Sequence, residues 1–177
     1  MARLFEKAAG TGDVPQELSL DSSHVKAHRS AAGGKGGVDA GGRTLARRPD
    51  LKIYCLADDR GRPIAFALTP GNVADLTIAL PLLKTVPRPR RLIADKAYDA
   101  ESLRRWLKEG RIKAVIPSTA TRTVPYPLDR GAYRRRNAIK RLFCRLKNWR
   151  RLATRYDRLA RNHLASLALI ATISEWA

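Results

Sequence analysis

Two aspartates, Asp21 and Asp95, each close a short apolar run, Leu18-Ser19-Leu20 and Leu92-Ile93-Ala94, and they stand 74 residues apart. Runs of this kind read as strands whose last residue lies at a sheet edge, where α/β proteins place functional groups. Two carboxylates on adjacent strand ends would share Mg²⁺ (or Mn²⁺), a hard cation that prefers oxygen ligands and bound phosphates. Two such ions about 3.5–4 Å apart would clamp both oxygens of an in-line phosphodiester displacement. A strand-terminal aspartate also serves simply to cap a loop, and neither residue decides the matter alone.

A second set of residues narrows the choice. The stretch 131–151 has helical periodicity, and Tyr133, Arg136, Lys140 and Lys147 fall at i, i+3, i+7 and i+14 within it. At 100° per residue these positions cover an arc of about 60°. Ile139, Leu142, Phe143, Leu146 and Trp149 form a neighbouring apolar stripe that should pack on a sheet. Arg134, Arg141 and Arg145 lie on the outer side. The helix therefore offers a core face, a basic outer face and, between them, a Tyr/Arg/Lys stripe placed to border a cleft. Its cations suit backbone phosphates, with Arg136 able to bind bidentately.

The charge of the whole chain agrees. The formal net charge is +19, and between Arg130 and Arg161 there are thirteen Lys or Arg and one acid, Asp157. Such a patch suits a polyphosphate, because each neutralised phosphate releases condensed counterions. DNA is the expected partner. A membrane is not, since no run of about 18 apolar residues occurs and no cleanly basic amphipathic face stands alone. Met1 to Lys7 begins like an amphipathic helix and lacks the apolar centre of a signal peptide. Cys55 and Cys144 both sit among core-like residues and are expected as buried, reduced thiols of a cytoplasmic protein.

The elements that must position these groups follow in order. Strand 18–21 leads into Ser22-Ser23-His24-Val25, and a basic Gly-rich loop occupies 31–49. That loop contains Gly33-Gly34-Lys35-Gly36-Gly37 but lacks the spacing of a phosphate-binding loop. Runs 51–56 and 63–68 read as a hairpin turning at Asp58-Asp59-Arg60-Gly61. A helix capped by Asn72 or Asp75 runs through Leu83. Strand 91–95, helix 100–109 and strand 113–117 come next, then helices over 131–151 and 159–175. With 177 residues the chain is long enough for one core. The order implies a single α/β domain over 1–177, a mixed sheet with an antiparallel start, flanked by helices. His24 and His28, four apart near Asp21, could suit a transition metal, but no third ligand has matching spacing, and hydrogen-bonding roles are favoured.

With these residues in view, the chain resembles the catalytic domain of bacterial insertion-sequence transposases of the insertion-sequence-five and insertion-sequence-four type. The stretches that carry the resemblance begin with Leu20-Asp21-Ser22-Ser23-His24-Val25-Lys26-Ala27-His28-Arg29-Ser30, Gly61-Arg62-Pro63 and Leu68-Thr69-Pro70-Gly71-Asn72. They continue with Ile93-Ala94-Asp95-Lys96-Ala97-Tyr98-Asp99, Arg136-Asn137-Ala138-Ile139, Thr154-Arg155-Tyr156-Asp157 and Ala160-Arg161-Asn162. The resemblance implies a DDE enzyme on an RNase H-like fold, with Asp21 and Asp95 as the first two catalytic, metal-binding acids. It implies Mg²⁺ or Mn²⁺ as cofactor, transposon ends and target DNA as partners, an oligomer on DNA, and a place at the bacterial nucleoid. The family's signature helix reads Tyr, two residues, Arg, three residues, Glu, six residues, Lys. Tyr133, Arg136 and Lys147 match it, but Lys140 stands where the third acid belongs.

That departure reverses a charge beside the expected ions, and the repulsion should cost on the order of several kcal/mol of metal affinity. Asp99 and Glu101 are the nearest spare acids. The family's upstream helical DNA-binding region is also expected to be missing here, because almost nothing precedes the first strand. The run Leu45-Ala46-Arg47-Arg48-Pro49-Asp50 looks locally altered. Three readings stay open: a transposase catalytic domain weakened by Lys140, a DNA-binding remnant that does not cut, and a basic RNA-binding structural protein. The last leaves both strand-end aspartates unexplained.

Overall fold

The computed structural model describes residues 15–28, 31, 50–157 and 159–175. Its framework is a six-stranded sheet. The strands are β1 (Glu17–Ala27), β2 (Leu51–Ala57), β3 (Pro63–Pro70), β4 (Arg91–Ile93), β5 (Lys113–Val115) and β6 (Thr154–Arg155). The order across the sheet is β3-β2-β1-β4-β5, with the short β6 added at the far end of β1. The β1, β2 and β3 pairings are antiparallel; β4 and β5 run parallel to β1, as does β6. This is the mixed sheet with an antiparallel start that the order of apolar runs implies.

Among the described residues six helices flank it: α1 (Asp75–Leu83), α2 (Glu101–Glu109), α3 (Arg130–Arg134), α4 (Asn137–Lys147), α5 (Arg150–Ala153) and α6 (Ala160–Glu175). Side chains alternate across a strand, so each strand of the centre feeds two cores. Leu18 and Leu20 of β1, with Tyr54 and Leu56 of β2, pack under α1 and α2 among Leu82, Leu83, Leu103 and Leu107. Val25, Ile53 and Cys55 face the other way, against Ile139, Leu142, Phe143 and Leu146 of α4 and Leu167 of α6. The sheet is thus sandwiched between two helical layers. Among the described residues, no helix is long and apolar enough to cross a membrane.

Several expectations are corrected. The stretch 131–151 is three helices rather than one. Arg135, Arg136 and Ala138 donate to the carbonyls three residues back, Ala132, Tyr133 and Arg135, so the backbone tightens between α3 and α4. The reason lies in the side chains: adjacent residues on an α-helix point 100° apart, yet Arg135 and Arg136 both reach acids of β1. The second break is at Trp149, whose extended backbone (φ −79°, ψ 105°) leaves its ring 48% exposed instead of in the core. Cys144 is exposed on α4, while Cys55 is buried as expected. Neither Asn72 nor Asp75 caps α1: Ala74 occupies that position without a side-chain bond, and Asp75 binds Lys52 at 3.0 Å. Strand β1 continues six residues past Asp21, and β4 stops at Ile93 rather than at Asp95. The expected features at 1–7 and 32–49, including the glycine-rich loop and the altered run 45–49, lie outside the described residues.

Candidate active site

The register of two strands brings the first two acids together. In the parallel β1–β4 pair the last partners are Ser19 and Ile93. Two residues further along each chain stand Asp21 and Asp95, at the same level and, by the alternation of strands, on the same face. That is the face covered by α3 and α4. Asp21 is therefore not at a strand's end but at the point where β1 loses β4 as a neighbour, and Asp95 begins the 3-10 turn Lys96–Tyr98 that β4 runs into. Each carboxylate is fixed by a nearby main-chain amide: Ser22 N–H donates to Asp21 at 2.9 Å and Ala97 N–H to Asp95 at 2.8 Å.

Between them lies Arg136. Its Nη2 donates to Asp21 Oδ1 at 2.8 Å and to Asp95 Oδ2 at 3.2 Å, so one guanidinium nitrogen bridges both acids. Arg136 is 8% exposed. It is drawn out of the phosphate-binding stripe expected to border a cleft at the core's edge, because the break between α3 and α4 turns it into the sheet. Burial pushes the Asp21 carboxyl above its usual range; Arg136 and the Ser22 amide pull it back, and the nearby Asp95 charge pushes it up again. The balance is a net rise, so the arginine does not fully offset burial.

The other residues of the stripe spread out. Tyr133 is half-buried against Ile93, Val115 and Ala132, one turn before Arg136. Lys140 is exposed on α4, and its N–H approaches the Arg136 carbonyl at 3.4 Å, one helical turn along the same line. Lys147, Arg134 and Arg141 are exposed. Arg145 is not free for a ligand in the same way, since it forks onto Glu175 at 2.8 and 2.6 Å.

The spare acids are engaged elsewhere. The Asp99 side chain is fully buried and accepts from Arg104 (2.6 Å), Arg122 (3.1 Å) and the Thr119 amide (2.7 Å). Burial alone would raise its carboxyl, but these donors outweigh it and hold the value at about 2. Glu101 pairs with Arg122 and accepts from the Tyr126 hydroxyl. Both are engaged away from the Asp21–Asp95 pair, so neither is free to serve as the third acid that the resemblance expects at 140. His28 rests on the Tyr156 ring at 4.6 Å and His24 is exposed, and among the described residues no three His, Cys, Asp or Glu cluster to hold a metal. Two convergent carboxylates nonetheless fit Mg²⁺, which commonly takes one or two protein carboxylates and completes its shell with water and substrate phosphate.

Sequence reasoning missed what supports the acids from behind. On the opposite face of β1, Ser22 donates to Asp75 at 3.3 Å, and Asp75 is also held by Lys52. Arg135 forks onto buried Glu17 at 2.8 and 2.7 Å, tying α3 to the start of β1. Run as the paired strand it becomes, the period-2 pattern of β1 could have placed Glu17 with Asp21; nothing in the sequence marks Arg135 as its partner.

The chain is similar to known proteins both in sequence and in fold. Residues 13–174 match the family model described as the transposase DDE domain. Over 140 residues, 73% of this chain, it is 35% identical to a protein of Burkholderia cepacia assigned as transposase for insertion sequence element IS402, and it spans 64% of that relative's length. Among solved structures, the piggyBac transposase synaptic complex with hairpin DNA superposes with a TM-score of 0.63 at 10% identity, over 97% of this chain and 48% of that one. The HTLV-2 integrase catalytic core domain in complex with magnesium gives 0.53 at 11% identity, over 90% and 88% of the two chains. At such identities these structures speak for the fold, which is RNase H-like. The chain belongs to the transposase DDE domain family.

Proposed function

We propose that the chain is the DNA-acting catalytic core of an insertion-sequence transposase, of the insertion-sequence-five or insertion-sequence-four type, with its chemistry crippled at Lys140. The observation that carries the first half is the convergence of Asp21 and Asp95 at one level of the β1–β4 pair, both on one cationic nitrogen. Asp21 and Asp95 would hold the divalent ion. When bound, Mg²⁺ or Mn²⁺ supplies Lewis-acid activation of a water or of a DNA 3′-hydroxyl for phosphodiester hydrolysis and strand transfer. The chain's own contribution is positioning: exposed Arg134, Arg141 and Lys147 supply phosphate contacts beside the acids, and Tyr133 lends an aromatic edge to the same border.

Lys140 supports the second half, and with it a second reading: a remnant that binds DNA without cutting it. A lysine cannot ligate the cation in place of a glutamate, and its exposed ammonium adds a repulsive charge one turn from Arg136. Both readings require DNA binding, so this is measured first. Fluorescence anisotropy with a labelled duplex of about 30 base pairs should show affinity falling steeply with salt. With four or more phosphates neutralised, the loss between 50 and 200 mM salt is about a hundredfold or more. Alanine at Lys147 or Arg141 should weaken binding to all sequences alike and lower the salt slope by about one. A flat salt response would remove both readings.

A further inference from the structure

Several arginines of this chain grip their partners through two nitrogens. Arg135 holds Glu17 through Nε and Nη2, and Arg145 holds Glu175 through the same two nitrogens. Arg122 likewise engages buried Asp99 through Nε and Nη2, and Arg104 gives its Nε to Asp99 and its Nη2 to the Ile116 carbonyl. These are two-pronged grips of the sort that fix structure. Arg136 is different. Both of its recorded ion pairs leave from Nη2 alone, and its buried Nε has no hydrogen-bond partner. A fork has been placed at a site where only one prong is used.

What that prong does is clear from its surroundings. The Asp21 and Arg136 side chains are 11% and 10% exposed, so water screens them poorly. Two carboxylates there without a cation would face each other across a poorly screened gap, a costly arrangement. Arg136 Nη2 stands where a cation shared by the two acids would stand. Turned outward from the last residue of the α3–α4 link, toward exposed Arg134, Lys140 and Arg141, its side chain would leave both acids. There, the remaining donors of its fork match a phosphate's two oxygens.

We infer that Arg136 is the resident counter-ion of the acid pair, that it competes with divalent metal for one place between Asp21 and Asp95, and that a DNA phosphate opens that place by drawing the guanidinium away. This makes Arg136 a positioning residue and couples metal uptake to DNA binding. Only the coupling rests on the DNA-binding reading above; the competition does not. The coupling is reciprocal, so metal must tighten DNA binding by the factor by which DNA tightens metal binding.

The test is a titration of Mn²⁺ into the full chain without DNA, with free Mn²⁺ read by electron paramagnetic resonance. Arg136→Gln should bind Mn²⁺ at least tenfold more tightly than the parent chain, and adding Asp95→Asn should abolish the gain. Equal or weaker binding by Arg136→Gln, in a variant whose circular dichroism matches the parent's, overturns the competition. A second arm leaves Arg136 in place. With a short duplex added, the parent should take up Mn²⁺ beyond what the Asp95→Asn chain takes up with the same duplex, and anisotropy reports duplex binding in the same samples. If the duplex binds and no acid-dependent uptake follows, the coupling is wrong while DNA binding stands. If the duplex does not bind, the functional reading fails and the first arm still decides the competition.

Discussion

Asp21 and Asp99 are both buried and differ in how many donors each commands. Asp99 commands two arginines and an amide, and its carboxyl is held at about 2 against an ordinary 3.8. Asp21, also buried, has one shared arginine nitrogen and one amide, and its carboxyl rises. Asp99 is therefore structural: it joins the start of α2 to the segment around Thr119 and Arg122 that leads from β5 to α3. Asp99→Asn should cost about 3 kcal/mol, because Arg104 keeps a buried charge with no acid to meet it. Because the folded form holds Asp99's carboxyl below its unfolded value, its stabilisation is complete above about pH 4 and is lost as pH falls through about 2. Urea unfolding at pH 5 and pH 2 should accordingly show a larger acid loss in the parent chain than in Asp99→Asn. Equal losses would remove Asp99 from this role.

At the scale of elements, the site depends on how α4 is seated over β1 and the β2–β3 hairpin. Gly61 in that hairpin has φ +82°, and a methyl added there would meet the Ala138 Cβ at 3.1 Å and its carbonyl oxygen at 3.3 Å. Ala138 lies between Arg136 and Lys140, so the turn sets the height of the helix that carries both. Gly61→Ala combines a left-handed backbone with a contact against helix backbone, and should cost about 1–2 kcal/mol in thermal unfolding. It should also loosen DNA binding through the displaced α4, whereas a change of stability alone would argue that the hairpin does not set the site. Much of this level was legible in advance. Strand and helix types followed from period-2 and period-3.6 patterns, and the pairing of Asp21 with Asp95 followed from two apolar runs ending in acids. The breaks around α4 were not legible. Arg135 and Arg136 read as ordinary helix residues, and only the positions of Glu17, Asp21 and Asp95 in the folded sheet pull both inward. Trp149 read as core by spacing alone, and the second break takes that spacing away. Lys140 lies inside α4, one turn after Arg136, where helical spacing holds.

Across the whole molecule, a basic chain with a net charge of +19 carries one acid pair bridged by Arg136, with Asp21 buried and Asp95 half-buried. On the proposed reading the basic surface draws in DNA, and Arg136 places one positive charge between the two carboxylates. On the proposed reading Lys140 parts the chain's ancestry from its activity, and the decisive measurement is nicking of supercoiled plasmid carrying the element's ends, in Mg²⁺ or Mn²⁺, by the parent chain, Lys140→Glu and Asp21→Ala at matched DNA occupancy. The expected result is little or no nicking by the parent chain and by Asp21→Ala, and metal-dependent nicking by Lys140→Glu. Robust nicking by the parent chain that Asp21→Ala abolishes would contradict it, and would show that two aspartates suffice without a third acid.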